Sequence, residues 1–276
     1  MTTLIAVDNL DFTYPDGTPA LMGINLEIGE QEFIAFIGQN GSGKTTLSKC
    51  LNGLFKPTAG KVIVEGLDTS RSGIIKQLVT RVGYVFQNPD HQLFNRSVKS
   101  EIAYGPRNIN LPEDEVERRV HEAARVAGVS EELFDTHPYF LPKGLRQRVA
   151  IASILALKPR TIIVDEPTTG QDMQQSLEVM NFLRRLWQEE GHTIIIITHE
   201  MRIVADYAQR TVVLGQGQIL LDGPTREIFS KPEILQQTYV EPPQITRLAQ
   251  RISQDKPFQS VLTIDEMKQL TEEYLK

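Results

Sequence analysis

The sequence predicts an α/β fold: a parallel sheet flanked by helices, with a smaller antiparallel sheet at its edge. Three observations carry that prediction. The runs Phe33-Ile34-Ala35-Phe36-Ile37, Thr161-Ile162-Ile163-Val164 and Thr193-Ile194-Ile195-Ile196-Ile197 are almost unbroken apolar stretches, as strands covered on both faces must be. Residues 5–12 and 24–28 instead alternate apolar and polar, which predicts two short half-buried strands near the start. Residues 88–159, between the first and second apolar runs, are mostly helical in pattern, most clearly over 113–127 and 144–157. A helical block inside an α/β core predicts an inserted subdomain.

The connections fit this plan. Tyr14-Pro15-Asp16-Gly17 reads as a turn. Thr211-Val212-Val213-Leu214 and Gln218-Ile219-Leu220-Leu221 flank Gly215-Gln216-Gly217 and predict a hairpin. After Gly223-Pro224 the pattern changes to short amphipathic segments over 225–229, 244–252 and 263–275, broken at Glu241-Pro242-Pro243. They predict a small helical appendage.

Composition bounds the function classes. The 276 residues, 40% hydrophobic and 23% charged, are ordinary for a globular protein. A net charge of −6 gives no support for a nucleic-acid surface. The single cysteine, Cys50, excludes an internal disulfide, fits a reducing compartment, and sits in an apolar helical pattern as a small core residue. Residues 1–5 carry no basic, apolar leader. No apolar run approaches the roughly 20 residues that span a bilayer. The expectation is a soluble, cytoplasmic chain that can still dock on a membrane protein.

The chemistry begins at Gly38-Gln39-Asn40-Gly41-Ser42-Gly43-Lys44-Thr45. An apolar strand runs into Gly38, and a helical pattern opens at Lys44 and continues through Thr46. The glycines let backbone N–H groups turn inward around phosphate oxygens, and the helix N-terminus adds partial positive charge. This is a complete phosphate-binding P-loop: Lys44 can reach the β- and γ-phosphates, and the Thr45 hydroxyl can bind Mg²⁺. A glycine-rich turn can match such a pattern by chance, but the strand before and helix after argue against that here. The expected ligand is ATP with Mg²⁺. Behind a P-loop, the strand ending Val164-Asp165-Glu166 gains meaning. Asp165 is placed to hold Mg²⁺ and Glu166 to polarise the attacking water. His199, at the end of a third apolar run, is placed to contact the γ-phosphate.

Together these motifs resemble the nucleotide-binding subunit of an ABC (ATP-binding cassette) transporter, over residues 4–223. The resemblance implies a P-loop NTPase core with an antiparallel edge subdomain and an inserted helical subdomain. Tyr14 matches the aromatic residue that stacks on adenine, and Gln87 the glutamine that contacts Mg²⁺ and the attacking water and senses the membrane partner. Thr168-Thr169-Gly170-Gln171-Asp172 matches the D-loop, with Asp172 as its aspartate. His199 matches the switch histidine. The implied catalytic set is Glu166, His199, Gln87 and Lys44, and the implied metal set is Thr45, Gln87 and Asp165. A narrower resemblance lies in Asn88-Pro89-Asp90-His91-Gln92-Leu93-Phe94 and in residues 241–248. Both are similar to energy-coupling factor (ECF) ATPases, which drive uptake of vitamins and transition-metal ions. That group implies a second ATPase, a transmembrane coupling subunit and a membrane substrate-binding subunit, and hence a peripheral position on the cytoplasmic membrane face. It also implies a groove beside Gln87 that receives helices of the membrane partner. Domain division follows: an ATPase domain over 1–223, with its nucleotide-binding core over 1–87 and 160–223 and its helical subdomain over 88–159. The appendage, 224–276, is a candidate dimerisation element.

One motif departs from the family. The signature LSGGQ binds the γ-phosphate held by the other subunit, and here reads Leu141-Pro142-Lys143-Gly144-Leu145. Pro142 lacks both a hydroxyl and an N–H, though it suits a first helical turn. Lys143 removes a glycine but brings positive charge. Only Gly144 carries over as a phosphate contact. Losing one preorganised donor costs about 10²–10³ in rate. The expectation is a heterodimer with a paralogue that supplies a normal signature, although pairing with itself stays open. The other readings are an ordinary ABC importer ATPase and a regulatory nucleotide-binding subunit. Soluble repair and translation ABC proteins need long coiled-coil insertions or two cassettes, which this sequence lacks.

Overall fold

The computed structural model describes residues 2–253 and 255–274. Met1 and Leu275, which close the predicted leader-free start and final helix, lie outside the described residues.

Two sheets carry the fold. The smaller contains β1 (Thr3–Thr13), β2 (Pro19–Gly29), β4 (Ala59–Val64) and β5 (Leu67–Asp68), in the order β2-β1-β4-β5, all antiparallel. The larger contains β3 (Phe33–Ile37), β6 (Val82–Val85), β7 (Thr161–Asp165), β8 (Thr193–Ile197), β9 (Arg210–Gly215) and β10 (Gln218–Pro224). Its order is β10-β9-β3-β8-β7-β6, parallel except for the β9–β10 hairpin. The helices are α1 (Lys44–Leu51), α2 (Ile75–Leu78), α3 (Val98–Asn108), α4 (Glu113–Ala127), α5 (Lys143–Leu155), α6 (Met173–Gln188) and α7 (Met201–Tyr207). The last five are α8 (Thr225–Phe229), α9 (Pro232–Gln236), α10 (Gln244–Ile252), α11 (Lys256–Gln259) and α12 (Ile264–Tyr274).

Side-chain alternation explains the unbroken apolar runs. Phe33, Ala35 and Ile37 face a core shared with α3 to α7, while Ile34 and Phe36 face a second core between the two sheets, around Leu47 and Leu51 of α1. Ile162 and Val164 against Ile163, and Ile194 and Ile196 against Ile195 and Ile197, divide the same way. A strand that feeds two cores needs an apolar residue at every position.

Several expectations are corrected. The first two strands are long, eleven residues each, because bulges near Asn9 (φ 48°) let the pair continue through breaks in the alternation. β4 and β6 add two strands for which the sequence offered no pattern. The predicted helix over 144–157 begins at Lys143 and ends at Leu155. Pro142 is not in its first turn but caps it, in an extended conformation with ψ 151°. The hairpin and the helix over Glu113–Ala127 lie where expected. At the C-terminal end, Phe229, Leu235 and Val240 join the main core, whereas Ala249, Phe258 and Val261 form a small cluster of their own.

Candidate functional site

The carboxyl ends of β3, β7 and β8 deliver the P-loop, Asp165 and Glu166, and His199 to one side of the parallel sheet. Gly38 leaves β3 at φ 145°, a conformation that favours glycine. A Cβ there would lie 2.1 Å from the Leu214 carbonyl oxygen of the neighbouring strand and 2.8 Å from Ser42 Oγ. The Lys44 ammonium folds back across the loop and donates to the carbonyls of Gly38 and Gln39, both at 2.8 Å. Its burial pulls the ammonium below its ordinary pKa, against the Coulombic pull of Glu166 and Asp165.

A triphosphate fits this cradle. Within α1 itself, the first N–H to find a backbone acceptor is that of Leu47, on Gly43 O at 2.8 Å, while in the loop before it Ser42 N donates to Gln39 O at 3.1 Å. Among the described residues, the amides of Lys44, Thr45 and Thr46 are left to face a ligand's oxygens. Beside the cradle, the Tyr14 hydroxyl bonds Thr46 Oγ1 at 2.8 Å, and the Tyr14 ring meets Phe12 edge-on at 5.1 Å.

The acidic pair is held from both sides. Asp165 Oδ2 accepts from the Tyr84 hydroxyl at 2.7 Å and from Thr45 Oγ1 at 3.2 Å. Burial holds the Asp165 carboxyl above the usual carboxylate range, and burial beside Asp165 pushes the Tyr84 phenol well up. Tyr84 was not among the sequence candidates. It reaches Asp165 because β6 lies beside β7, with Tyr84 in register with Ile163. Glu166 has φ 48°, costly for a residue with a Cβ. Its N–H donates to Ile197 O at 2.8 Å, and its carboxylate meets His199 Nδ1 at 2.9 Å and Thr169 Oγ1 at 3.1 Å.

A pocket of about 1030 Å³ collects these residues: Tyr14, Gly38, Gln39, Asn40, Gly41, Gly43, Lys44, Thr45, Thr46, Gln87, Asp165, Glu166 and His199. Ser42 is fully buried behind the loop rather than lining it. Asp172 and Gly144 do not line the pocket either. The Asp172 carboxylate caps α6 by accepting from Gln175 N at 2.8 Å, and Gly144 lies in the first turn of α5 near Gln175. Tyr239, Val240 and Glu241 also line the pocket; no motif pointed to Tyr239 or Val240, and Glu241 stood out only as the start of the run 241–248.

Thr45 and Asp165 bring two hard oxygen donors together, a fit for Mg²⁺. Among the described residues no group of three or more His, Cys, Asp or Glu could hold a metal by itself. A cation there would therefore be shared with phosphate oxygens, as Mg²⁺ prefers.

Residues 21–169 match the ABC transporter family model. The chain belongs to the ABC transporter family. It is 41% identical to an energy-coupling factor transporter ATP-binding protein of Caldanaerobacter subterraneus, over 99% of this chain and 98% of the relative. A second protein of that name, from Methanothermobacter thermautotrophicus, is 42% identical over 90% of this chain and 80% of its own length. A longer ABC transporter ATP-binding protein of the same Caldanaerobacter is 47% identical over 97% of this chain, which spans only 46% of it. Among solved structures, cbiO1 from Clostridium perfringens, part of the ABC transporter complex cbiONQ, superposes with a TM-score of 0.77 at 36% identity. That match covers 91% of this chain and 99% of the other. A dimeric ATP-binding cassette bound to ADP and Pi has a TM-score of 0.71 at 27% identity, over 80% of this chain and 98% of its own. As a member of this family the chain is an ATP-hydrolysing enzyme of the energy-coupling factor type. No helix among the described residues is long and apolar enough to cross a membrane.

Proposed function

We propose that this chain is one of two ATPase subunits that power an energy-coupling factor importer from the cytoplasmic membrane face, for uptake of a vitamin or transition-metal ion. The observation that carries the reading is the convergence of Lys44, Asp165, Glu166, Gln87 and His199 on one pocket at the sheet's carboxyl edge. Lys44 and the amides after Gly43 bind and orient the phosphates of ATP, and Tyr14 receives the base. Glu166 accepts a proton from the attacking water, which Gln87 helps to place. His199 orients Glu166 before ATP binds and meets the γ-phosphate afterwards. When bound at Thr45 and Asp165, with Gln87 alongside, Mg²⁺ supplies charge neutralisation at the β- and γ-phosphates.

Gly144 and Asp172 lie outside this chain's own pocket, which supports a role for them at a partner's nucleotide. In the same reading residues 1–223 act as the ATPase and 224–276 help pair the subunits. The altered signature motivates a heterodimer with a paralogue carrying the ordinary sequence. A second surface fits the membrane partner. A groove of about 610 Å³ beside the Gln87 segment is lined by Ile75, Phe94, Tyr104 and Leu157, and Phe94 is 63% exposed. An amphipathic helix of a coupling subunit matches that chemistry. The test is ATPase activity of the purified chain alone and with its paralogue. The expected result is low activity alone and a rise of at least tenfold on pairing. Full activity of the lone chain defeats the heterodimer, and no activity in either state defeats the ATPase reading.

A further inference from the structure

Residues 238–241 come from beyond the β9–β10 hairpin, yet three of them line the nucleotide pocket. Their backbone is fixed on both sides of Tyr239. Thr238 is fully buried, and its hydroxyl donates to Leu235 O at 2.8 Å. It packs on the end of β9, where a Cβ at Gly215 would lie 3.1 Å from Thr238 Cγ2. Val240 is buried in the main core, with its N–H on Leu235 O at 3.2 Å. Between these anchors Tyr239 is 84% exposed and holds φ 54°. Glycine would adopt that conformation without strain, and the ring gains nothing there from burial. Glu241 follows it, and a bare carboxylate on this wall would repel a polyphosphate. It is instead ion-paired with Arg247 in α10. A rigid support thus presents an uncovered aromatic ring to the pocket, and the adjacent negative charge is answered.

We propose that Tyr239 is a nucleotide-binding residue, its ring packing on bound nucleoside triphosphate at the rim of the P-loop pocket. The inference rests on the assignment of that pocket to ATP. It makes the C-terminal segment part of the binding site: occupancy of the pocket tightens residues 236–241, and with them the start of α10.

The test is calorimetric titration of the purified chain with a non-hydrolysable ATP analogue, on wild type, Lys44→Ala, Tyr239→Ala and Tyr239→Phe. Tyr239→Ala is expected to weaken binding about three- to tenfold, the range for loss of one aromatic contact, and Tyr239→Phe to bind like wild type. Affinity of Tyr239→Ala within twofold of wild type overturns the proposal, as does an equal loss in Tyr239→Phe. Lys44→Ala is expected to lose binding outright, and undiminished binding by that variant overturns the pocket assignment itself. Hydrogen exchange on the unaltered protein removes any dependence on a variant's folding. The analogue is expected to slow exchange at the Tyr239 and Val240 amides, and unchanged exchange there also overturns the proposal.

Discussion

His199 Nδ1 lies 2.9 Å from Glu166 Oε1, while the other oxygen of that carboxylate accepts from Thr169 Oγ1 at 3.1 Å. Both oxygens of the proposed general base are therefore engaged before a nucleotide arrives. Each oxygen keeps a further lone pair for the attacking water, and His199, with a side chain 63% exposed, is the partner free to swing toward a γ-phosphate. Arrival of the γ-phosphate, by drawing His199 away, would free a further acceptor site on the base. Glu166→Gln is expected to bind ATP normally and lose hydrolysis by at least about 10². His199→Ala should also bind and lose on the order of 10² in kcat. Single-turnover hydrolysis beside equilibrium binding checks both. Loss of binding in either variant would count against these roles.

Asp165 yields a prediction about stability. Burial holds its folded-state pKa above the value in the unfolded chain. A raised acid favours folding while protonated, so its contribution is present below the unfolded value of 3.8 and is lost as pH rises through the folded value. At neutral pH the ionised carboxylate is a destabilising group in the nucleotide-free protein. Asp165→Asn keeps an acceptor for Tyr84 and Thr45 and removes the charge. It is expected to raise the melting temperature at pH 7, with the gain shrinking toward pH 4, and to reduce hydrolysis at least tenfold. A lower melting temperature at pH 7 would contradict this account.

The same environment shows what the sequence could and could not disclose. Lys44, Asp165 and His199 were legible because each ends or follows an unbroken apolar strand. Tyr84 was not, because its strand hides behind Gly83. An added Cβ at that glycine would lie 2.1 Å from Ile154 Cγ2, so helix packing demands a residue that weakens the strand signal. β4 was missed because only Val62 and Val64 of its six residues are buried, too few to show a period. Tyr239 gave no signal at all: its place at the pocket comes from tertiary anchoring of Thr238 and Val240, which no local pattern encodes.

Lys143, the least family-like residue of the signature, has a definite partner. Its ammonium donates to Thr169 O at 2.8 Å and covers Gly170, where an added Cβ would lie 2.5 Å from Nζ. Thr169 in turn bonds Glu166. A continuous path thus runs from the start of α5 to the proposed base. Lys143→Met keeps much of the side chain's length and removes the donor. Its kcat is expected to fall about three- to tenfold with KM unchanged, in line with loss of one charge-assisted hydrogen bond. A rise in KM alone would place Lys143 in ATP binding rather than in the positioning of Glu166.

The groove beside Gln87 owes its shape to a buried carboxylate. Glu101, 3% exposed, accepts from the backbone amides of Phe94 at 2.9 Å and Asn95 at 2.7 Å, and so fixes the loop that turns Phe94 outward. The Phe94 ring meets Tyr104 edge-on at 4.7 Å, and the pair forms an exposed apolar surface. Gln92 ties the same loop to α5: it accepts from Phe86 N at 3.2 Å and donates to Ala150 O at 2.8 Å. A helix seated in the groove would therefore press on a loop joined both to the strand that leads to Gln87 and to the helix that begins with Lys143. Phe94→Asp places a charge where an apolar helix must dock and touches none of the pocket residues. It is expected to leave the ATP affinity of the isolated chain within twofold of wild type. Co-purification with a membrane coupling subunit should fall at least tenfold, the cost of burying an unpaired carboxylate. Retained co-purification would exclude this groove as the docking site, and a matching fall in ATP affinity would show that the substitution disturbs the fold instead.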